Sequence, residues 1–297
     1  MKPAPFEYVA PESEAEVLEL LHRHGDDARL LAGGQSLVPM LNLRIVQPAV
    51  IVDLGRCAPL AYLNQENGAL VCGTMTRQIM AENSPEVRQG CPLLAAALPY
   101  LGGKAHRNRG TVGGTLAHAD RLAELPAVAL ALEAEIIVRS AGAERTVAAA
   151  DFFLADLTTA LQEGEMLHAV RFPKATTNER SAFAEVGNRR HGFAVVGVAA
   201  VLEVGNDGAC TKARLATMGV GATPVRLMEA EQILEQGSLG EDAVRAAGDA
   251  AVRAVDPTDD IHASAAYRRR LTATLVQRSV QEAVGSGGSD GTGRAMA

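Results

Sequence analysis

The sequence predicts an α+β chain of two domains, on three observations. Short apolar runs of strand character intermix with capped amphipathic helices, and nothing repeats beyond two glycine clusters. The 297 residues exceed the ~100–200 of a single domain. A polar stretch, "KATTNER" (174–180), interrupts the pattern. The expected divisions are a first domain over 1–175, a second over 179–285, and a flexible Gly/Ser-rich tail over 286–297.

Taken in order, residues 13–24 read as a helix, with Ser13 as N-cap, Glu16 completing a capping box, and Gly25 stopping it. "ARLLAGG" (28–34) is a short strand entering the first glycine turn. "PAVIVDLG" (48–55) and "ALVCGTM" (69–75) are buried strands. Residues 77–102 are mostly helical, and 123–140 give a helix running into a strand. "EMLHAVRFP" (165–173) is a further strand. Three strand pieces follow at 181–190, 193–204 and 210–221, then an Ala-rich helix over 238–255 and a long amphipathic helix over 264–284.

Composition excludes several functions. The net charge of −7 argues against a broad nucleic-acid surface, and the absence of Trp with 3% aromatic residues argues against base stacking. No apolar run approaches the ~20 residues of a membrane span, and the N-terminus lacks the apolar core of a signal peptide, so a cytoplasmic location is expected. Cys57, Cys72, Cys91 and Cys210 are scattered without a C-x-x-C, which argues against a metal site or an iron–sulfur cluster in this chain.

The chemistry concentrates in "LLAGGQSLVPMLNLR" (30–44) and "RNRGTVGGTLAHAD" (107–120). Each sets a Gly-Gly pair among hydroxyl or amide donors. Glycine lets consecutive N–H groups converge on an anion, because no Cβ blocks the approach. Two such loops are able to clamp a diphosphate, although a Gly-Gly pair alone is more often a plain turn. A P-loop is absent, "GVGATP" (219–224) lacks the third glycine of a dinucleotide fingerprint, and neither G-x-S-x-G nor H-E-x-x-H occurs.

These two loops, with "AELPAVALAL" (123–132), "EGEMLHAVRFP" (163–173), "GFAVVGVAA" (192–200), "GVGATPVR" (219–226) and "YRRRLTATLVQR" (267–278), resemble the FAD-binding medium subunit of molybdenum hydroxylases, the carbon monoxide dehydrogenase and xanthine dehydrogenase family. The resemblance covers nearly the whole chain in order. It implies a vanillyl-alcohol-oxidase-type (PCMH-like) two-subdomain FAD-binding fold, followed by a small α/β C-terminal domain with an antiparallel sheet. It further implies noncovalent FAD, held by backbone amides over Leu30, Leu31, Ala32, Gly33, Gly34, Gln35, Ser36 and Leu37. Thr111, Gly113, Gly114 and Thr115 close on the diphosphate from the other side. Asp120 and Glu124 contact the cofactor, Leu101 and Leu167 pack on it, and Phe193 lies near the isoalloxazine ring. Val at Gly33 or Gly113 is expected to expel FAD and leave the fold.

The implied role is electron transfer inside a heteromeric enzyme. Electrons arrive from a small [2Fe–2S] subunit, a large molybdopterin subunit carries the hydroxylation chemistry, and FAD passes electrons to an external acceptor. The implied assembly is a dimer of heterotrimers, with the loop from His118 to Leu122 as a docking face. No side chain of this chain need act as a catalytic acid or base. Two other readings stand beside it: a self-sufficient flavin oxidase or dehydrogenase, and a non-catalytic module binding an anionic nucleotide. Three positions depart from the family pattern. His106 and Glu185 are expected to be solvated surface changes, whereas Arg121 sets a cation beside the flavin.

Overall fold

The computed structural model describes residues 2–189 and 192–285, so the expected tail lies outside the described residues. The chain opens with β1 (Glu7–Val9), α1 (Glu14–His24), β2 (Ala28–Leu31), α2 (Leu37–Asn42) and β3 (Val50–Asp53). The three strands form a parallel sheet in the order β1-β3-β2. Ser13 caps α1 by accepting the Glu16 N–H at 3.3 Å. The Glu16 carboxylate reaches back one residue further than a capping box requires and accepts the Glu12 N–H at 3.0 Å. Val17 and Leu21, one turn apart, bury against Val50 and Val52.

A second, antiparallel sheet is built from β4 (Leu63–Glu66), β5 (Ala69–Gly73), β6 (Glu135–Ser140), β7 (Ala143–Ala148) and β10 (Met166–Pro173), in the order β4-β5-β10-β6-β7. Between β5 and β6 run six short helices: α3 (Gln78–Asn83), α4 (Pro85–Gly90), α5 (Pro92–Ala97), α6 (Lys104–Arg109), α7 (Val112–His118) and α8 (Glu124–Ala131). Pro85 and Pro92 each open a helix where a missing N–H costs nothing, which is why residues 77–102 form several turns rather than one rod. A one-turn α9 (Ala149–Phe152) and the hairpin β8 (Phe153–Ala155) and β9 (Thr158–Thr159) complete this part.

The third sheet, β11 (Glu179–Gly187), β12 (Ala194–Val204), β13 (Cys210–Met218) and β14 (Val225–Arg226), is antiparallel in sequence order. Its two faces are apolar toward different neighbours. Ala182 and Ala184 of β11 face α10 (Met228–Leu234), α11 (Glu241–Arg253) and α12 (Ala265–Gly285). Phe183, Ala199 and Ala216 face the opposite way and join the core of the second sheet. Every residue of α8 is buried, as expected for a helix enclosed between two apolar layers. At ~25 cal/mol per Å² of apolar surface, that shared core fastens the two halves together.

A buried guanidinium organises the seam. Arg268 on α12 is 2% exposed and donates to the Val195 and Gly219 carbonyls at 2.6 and 2.9 Å. It also pairs with Asp260 at 2.6 Å. Asp260 in turn holds Arg121 at 3.2 Å, and the Gly219 N–H donates to the Arg121 carbonyl at 3.0 Å. Arg121 therefore ties the two halves of the chain together, rather than standing free as a cation. The loop expected to dock a partner is packed against the chain's own second half.

Partial burial raises the Asp260 pKa, but Arg268 and the N–H groups of Ala263 and His262 outweigh it and bring it down to about 2. A depressed carboxyl stabilises the fold above its unfolded pKa of ~4, and that gain is lost as pH falls toward the folded value. Asp260→Asn is expected to lower the thermal midpoint at neutral pH. The gap to wild type should close as pH drops from about 4 to about 2. A pH-independent gap in a melting series would show that Asp260 acts through packing alone.

Candidate functional site

The two glycine loops meet. Gly33 lies so close to the second loop that a Cβ there would sit 2.3 Å from the Arg109 carbonyl oxygen and 2.8 Å from the Gly110 Cα. Arg77 donates to that same Arg109 carbonyl. A Cβ on Gly113 would sit 2.0 Å from the Thr74 hydroxyl. Both glycines are thus required by protein packing, whatever binds nearby. This corrects the expectation that Val at these positions would block a ligand and spare the fold.

The loops differ in what their donors do. In the second, the Val112 N–H donates to the Thr76 carbonyl at 2.9 Å, Gly113 to Thr74 at 3.1 Å and Thr115 to Thr111 at 3.2 Å. The Gly114 N–H donates to the Thr111 hydroxyl at 2.9 Å, so Thr111 is the N-cap of α7. The Thr115 hydroxyl donates to the Thr111 carbonyl at 3.2 Å and accepts from Gln78 at 2.8 Å. The N–H groups of residues 112–115 and the Thr115 hydroxyl are committed there. In the first loop, by contrast, the N–H groups of Gly33, Gly34, Gln35 and Ser36 donate to no protein group among the described residues. Gly34 takes φ 73°, which turns the run on itself. Gln35 spends its side-chain amide on the Gly33 carbonyl at 3.3 Å, which rigidifies the turn.

Two adjoining cavities open at this junction. One, of about 520 Å³, is walled by Leu30, Ala32, Gly33, Gly34, Gln35, Ser36 and Leu37 of the first loop. Thr111, Gly113, Gly114, Thr115 and Leu167 close it from the other side. The second, of about 470 Å³, is walled by Leu101, Asp120, Glu124 and Phe193. Of the residues expected to hold the cofactor, Leu31 alone lines neither, because alternation along β2 turns it away from Leu30 and Ala32. Phe193 is 69% exposed, a large apolar ring at the chamber mouth. Asp120 spends one oxygen on the Leu122 N–H at 2.8 Å, which fixes the turn after α7.

Sequence reasoning named Ser36 and Thr115 without placing them where the cavities join, and it missed Gln78 altogether. Gln78, His106, Thr115, His118 and Ser36 line both. Gln78 is 1% exposed, and its side-chain oxygen is buried with no hydrogen-bond partner. Such an acceptor costs ~1–3 kcal/mol unless a ligand or water satisfies it. His106 is half-buried, and burial together with the neighbouring Arg107 lowers its pKa, so it is a wall residue rather than a surface change. Arg107 itself is locked by Glu82 at 2.6 Å and donates to the Gly102 carbonyl. Glu185 is also no surface change. One of its carboxylate oxygens is buried without a partner, and burial plus the charge of Glu124 push its pKa up to about 8.

The comparisons with known proteins agree over the full length. The profile described as the FAD binding domain in molybdopterin dehydrogenase matches residues 4–175, and that of the CO dehydrogenase flavoprotein C-terminal domain matches residues 181–283. The chain is 37% identical over 284 residues to the 6-hydroxypseudooxynicotine dehydrogenase complex subunit alpha of Paenarthrobacter nicotinovorans, covering 96% of each. It superposes on carbon monoxide dehydrogenase from Hydrogenophaga pseudoflava with a TM-score of 0.92 at 35% identity, covering 95% of this chain and 98% of that one. With quinoline 2-oxidoreductase from Pseudomonas putida 86 the TM-score is 0.92 at 34% identity, covering 97% and 99%.

Because both glycines face protein, Gly33→Ala and Gly113→Ala are each expected to destabilise the ligand-free chain by about 1–3 kcal/mol, the usual cost of overpacking. Denaturant midpoints on protein stripped of small molecules measure this. Unchanged midpoints would show that Arg109 and Thr74 yield freely.

Proposed function

The chain belongs to the FAD-binding medium subunits of the molybdenum hydroxylases, an oxidoreductase family, and from that premise we propose how its residues hold the cofactor and what it does there. The reading rests above all on the four undonated N–H groups from Gly33 to Ser36, gathered at the floor of the larger cavity. A diphosphate offers acceptors in that arrangement, and a run of backbone amides is a fixed positive field that needs no reorganisation. The second loop contributes shape instead of donors, its Gly113 and Gly114 closing the far wall.

In this reading the buried Gln78 oxygen accepts from a cofactor hydroxyl where the two cavities join. The chamber walled by Leu101, Asp120, Glu124 and Phe193 takes the ring system. Bound there, FAD supplies reversible two-electron chemistry. The chain's own residues would bind and orient it, with the buried Leu101 as an apolar wall and the exposed Phe193 at the mouth. Asp120 and Glu124 set the charge around it, and no side chain is required as a general base.

Electrons in this account reach the site from a [2Fe–2S] subunit and leave to an external acceptor, while substrate oxidation belongs to a large molybdopterin subunit. The assembly is a dimer of heterotrimers working in the cytoplasm. Among the described residues no helix is long and apolar enough to cross a membrane. Each of the four cysteines is buried and unpaired, which suits a chain that leaves the clusters to a partner.

Acid precipitation of the yellow protein is expected to release all flavin into the supernatant. The isolated FAD-bound chain should show no substrate-dependent turnover, and the co-expressed complex should show it. Colour retained in the pellet would contradict noncovalent binding. Turnover by the lone chain near the rate of the complex would favour a self-sufficient flavoenzyme.

A further inference from the structure

Two buried carboxylates come from different parts of the fold: Glu124 lines the ring chamber, and Glu185, behind its wall, lies near enough to feel the charge of Glu124. Glu124 opens α8, is 8% exposed and lines the chamber. Glu185 comes from β11, on the same strand face as Phe183, which packs into the core shared by the two halves. One Glu185 oxygen is fully buried and unpartnered, and no ion pair among the described residues includes either acid. The cation nearest Glu124 in sequence, Arg121, is committed to Asp260 at 3.2 Å and to Asp156, and Arg189, nearest Glu185, lines the chamber in no ion pair with either acid. Two buried carboxylates without a counter-ion do not both ionise near neutral pH.

We propose that Glu124 and Glu185 form a proton-holding acid pair against the flavin chamber, and that the pair couples the charge of the ring to proton uptake from solvent. The flavin half of this inference rests on the function proposed above. Negative charge gained by a flavin held in the chamber would raise the proton affinity of the pair. A proton then enters through the chamber mouth past Phe193 and His118 and settles on a carboxylate oxygen. No bond other than that O–H forms. Glu185 is a potential-setting residue that acts through Glu124.

The surrounding charges agree with this placement. Burial raises the Glu124 pKa to about 7, with its own N–H pulling it back and Asp120 pushing further. Burial and then Glu124 raise Glu185 to about 8. In the single helical turn Leu98–Tyr100, burial and then the charges of Glu282 and Glu185 raise the Tyr100 pKa, and Arg278 opposes them. Glu282 and Arg278 lie on α12 and pair with each other at 2.7 Å, so they bring no free cation to Glu185. His106, His118 and Arg189 line the outer part of the chamber.

The first measurement is the infrared spectrum of the full chain without cofactor at neutral pH. A protonated-carboxyl C=O band is expected, titrating well above the ordinary carboxylate range and diminished in Glu185→Gln. The second is the flavin midpoint potential against pH in the FAD-bound chain. Wild type and Glu185→Gln should coincide near pH 6, where Glu185 is already neutral, and separate by about pH 9, where wild type falls lower. Glu124→Gln, a variant in a different element, should flatten the profile in the same direction. Absence of the carboxyl band at neutral pH would overturn the pair. Identical potential profiles in all three proteins would overturn its coupling to the flavin. Failure of wild type to bind FAD would instead overturn the functional reading and leave the carboxyl band in place.

Discussion

The site depends on one close approach, that of Gly33 to the Arg109–Gly110 backbone. Because no Cβ intervenes, the two loops touch, and the Arg109 carbonyl is held there by Arg77. The second loop is stapled in turn to residues 74–78 through Val112, Gly113 and Gln78. Those bonds use up its N–H groups. The first loop, held by contact rather than by its own amides, keeps four donors free in a half-buried position. A binding site arises where packing has been satisfied by one loop on behalf of both.

The same economy appears at the boundary between the two halves. Arg268 is nearly inaccessible and serves two carbonyls and Asp260, which then reaches Arg121 beyond the seam. A buried guanidinium left without its carboxylate costs ~3–5 kcal/mol, so Asp260 is under strong constraint. Arg121 consequently fixes the turn that carries Asp120 and the start of α8. Through this turn the C-terminal sheet and helices position the wall of a chamber to which they lend little surface of their own. Arg189, Gly192 and Phe193 are the exceptions, supplied from the connection that follows β11.

Much of this was legible in the sequence. The capped α1, the strand into the first glycine turn and the two long C-terminal helices follow from local periodicity and caps, and the structure places them within a few residues. The two glycine loops also declared themselves, through composition alone. What they did not declare was division of labour, since hydrogen-bond commitment is a tertiary fact: the N–H groups of residues 112–115 look like ligand donors until Thr74, Thr76 and Thr111 are seen to accept from them. Gln78 was invisible for a related reason, being an isolated polar residue on a short helix that only the fold brings to a cavity, and His106 and His118 were noticed but not read as cavity walls. Glu185 and Arg121 were misplaced because burial and pairing, not residue type, decide whether a charge is solvated.

If the free amides of the first loop are the anion cradle, a bound diphosphate protects them from exchange one residue at a time. Amide hydrogen exchange of the full chain, measured with and without FAD, should show new protection at Gly33, Gly34, Gln35 and Ser36. Residues 112–115, whose N–H groups already have protein acceptors, should change little. Protection gained at 112–115 with none at 33–36 would contradict the account and move the cradle to the other loop.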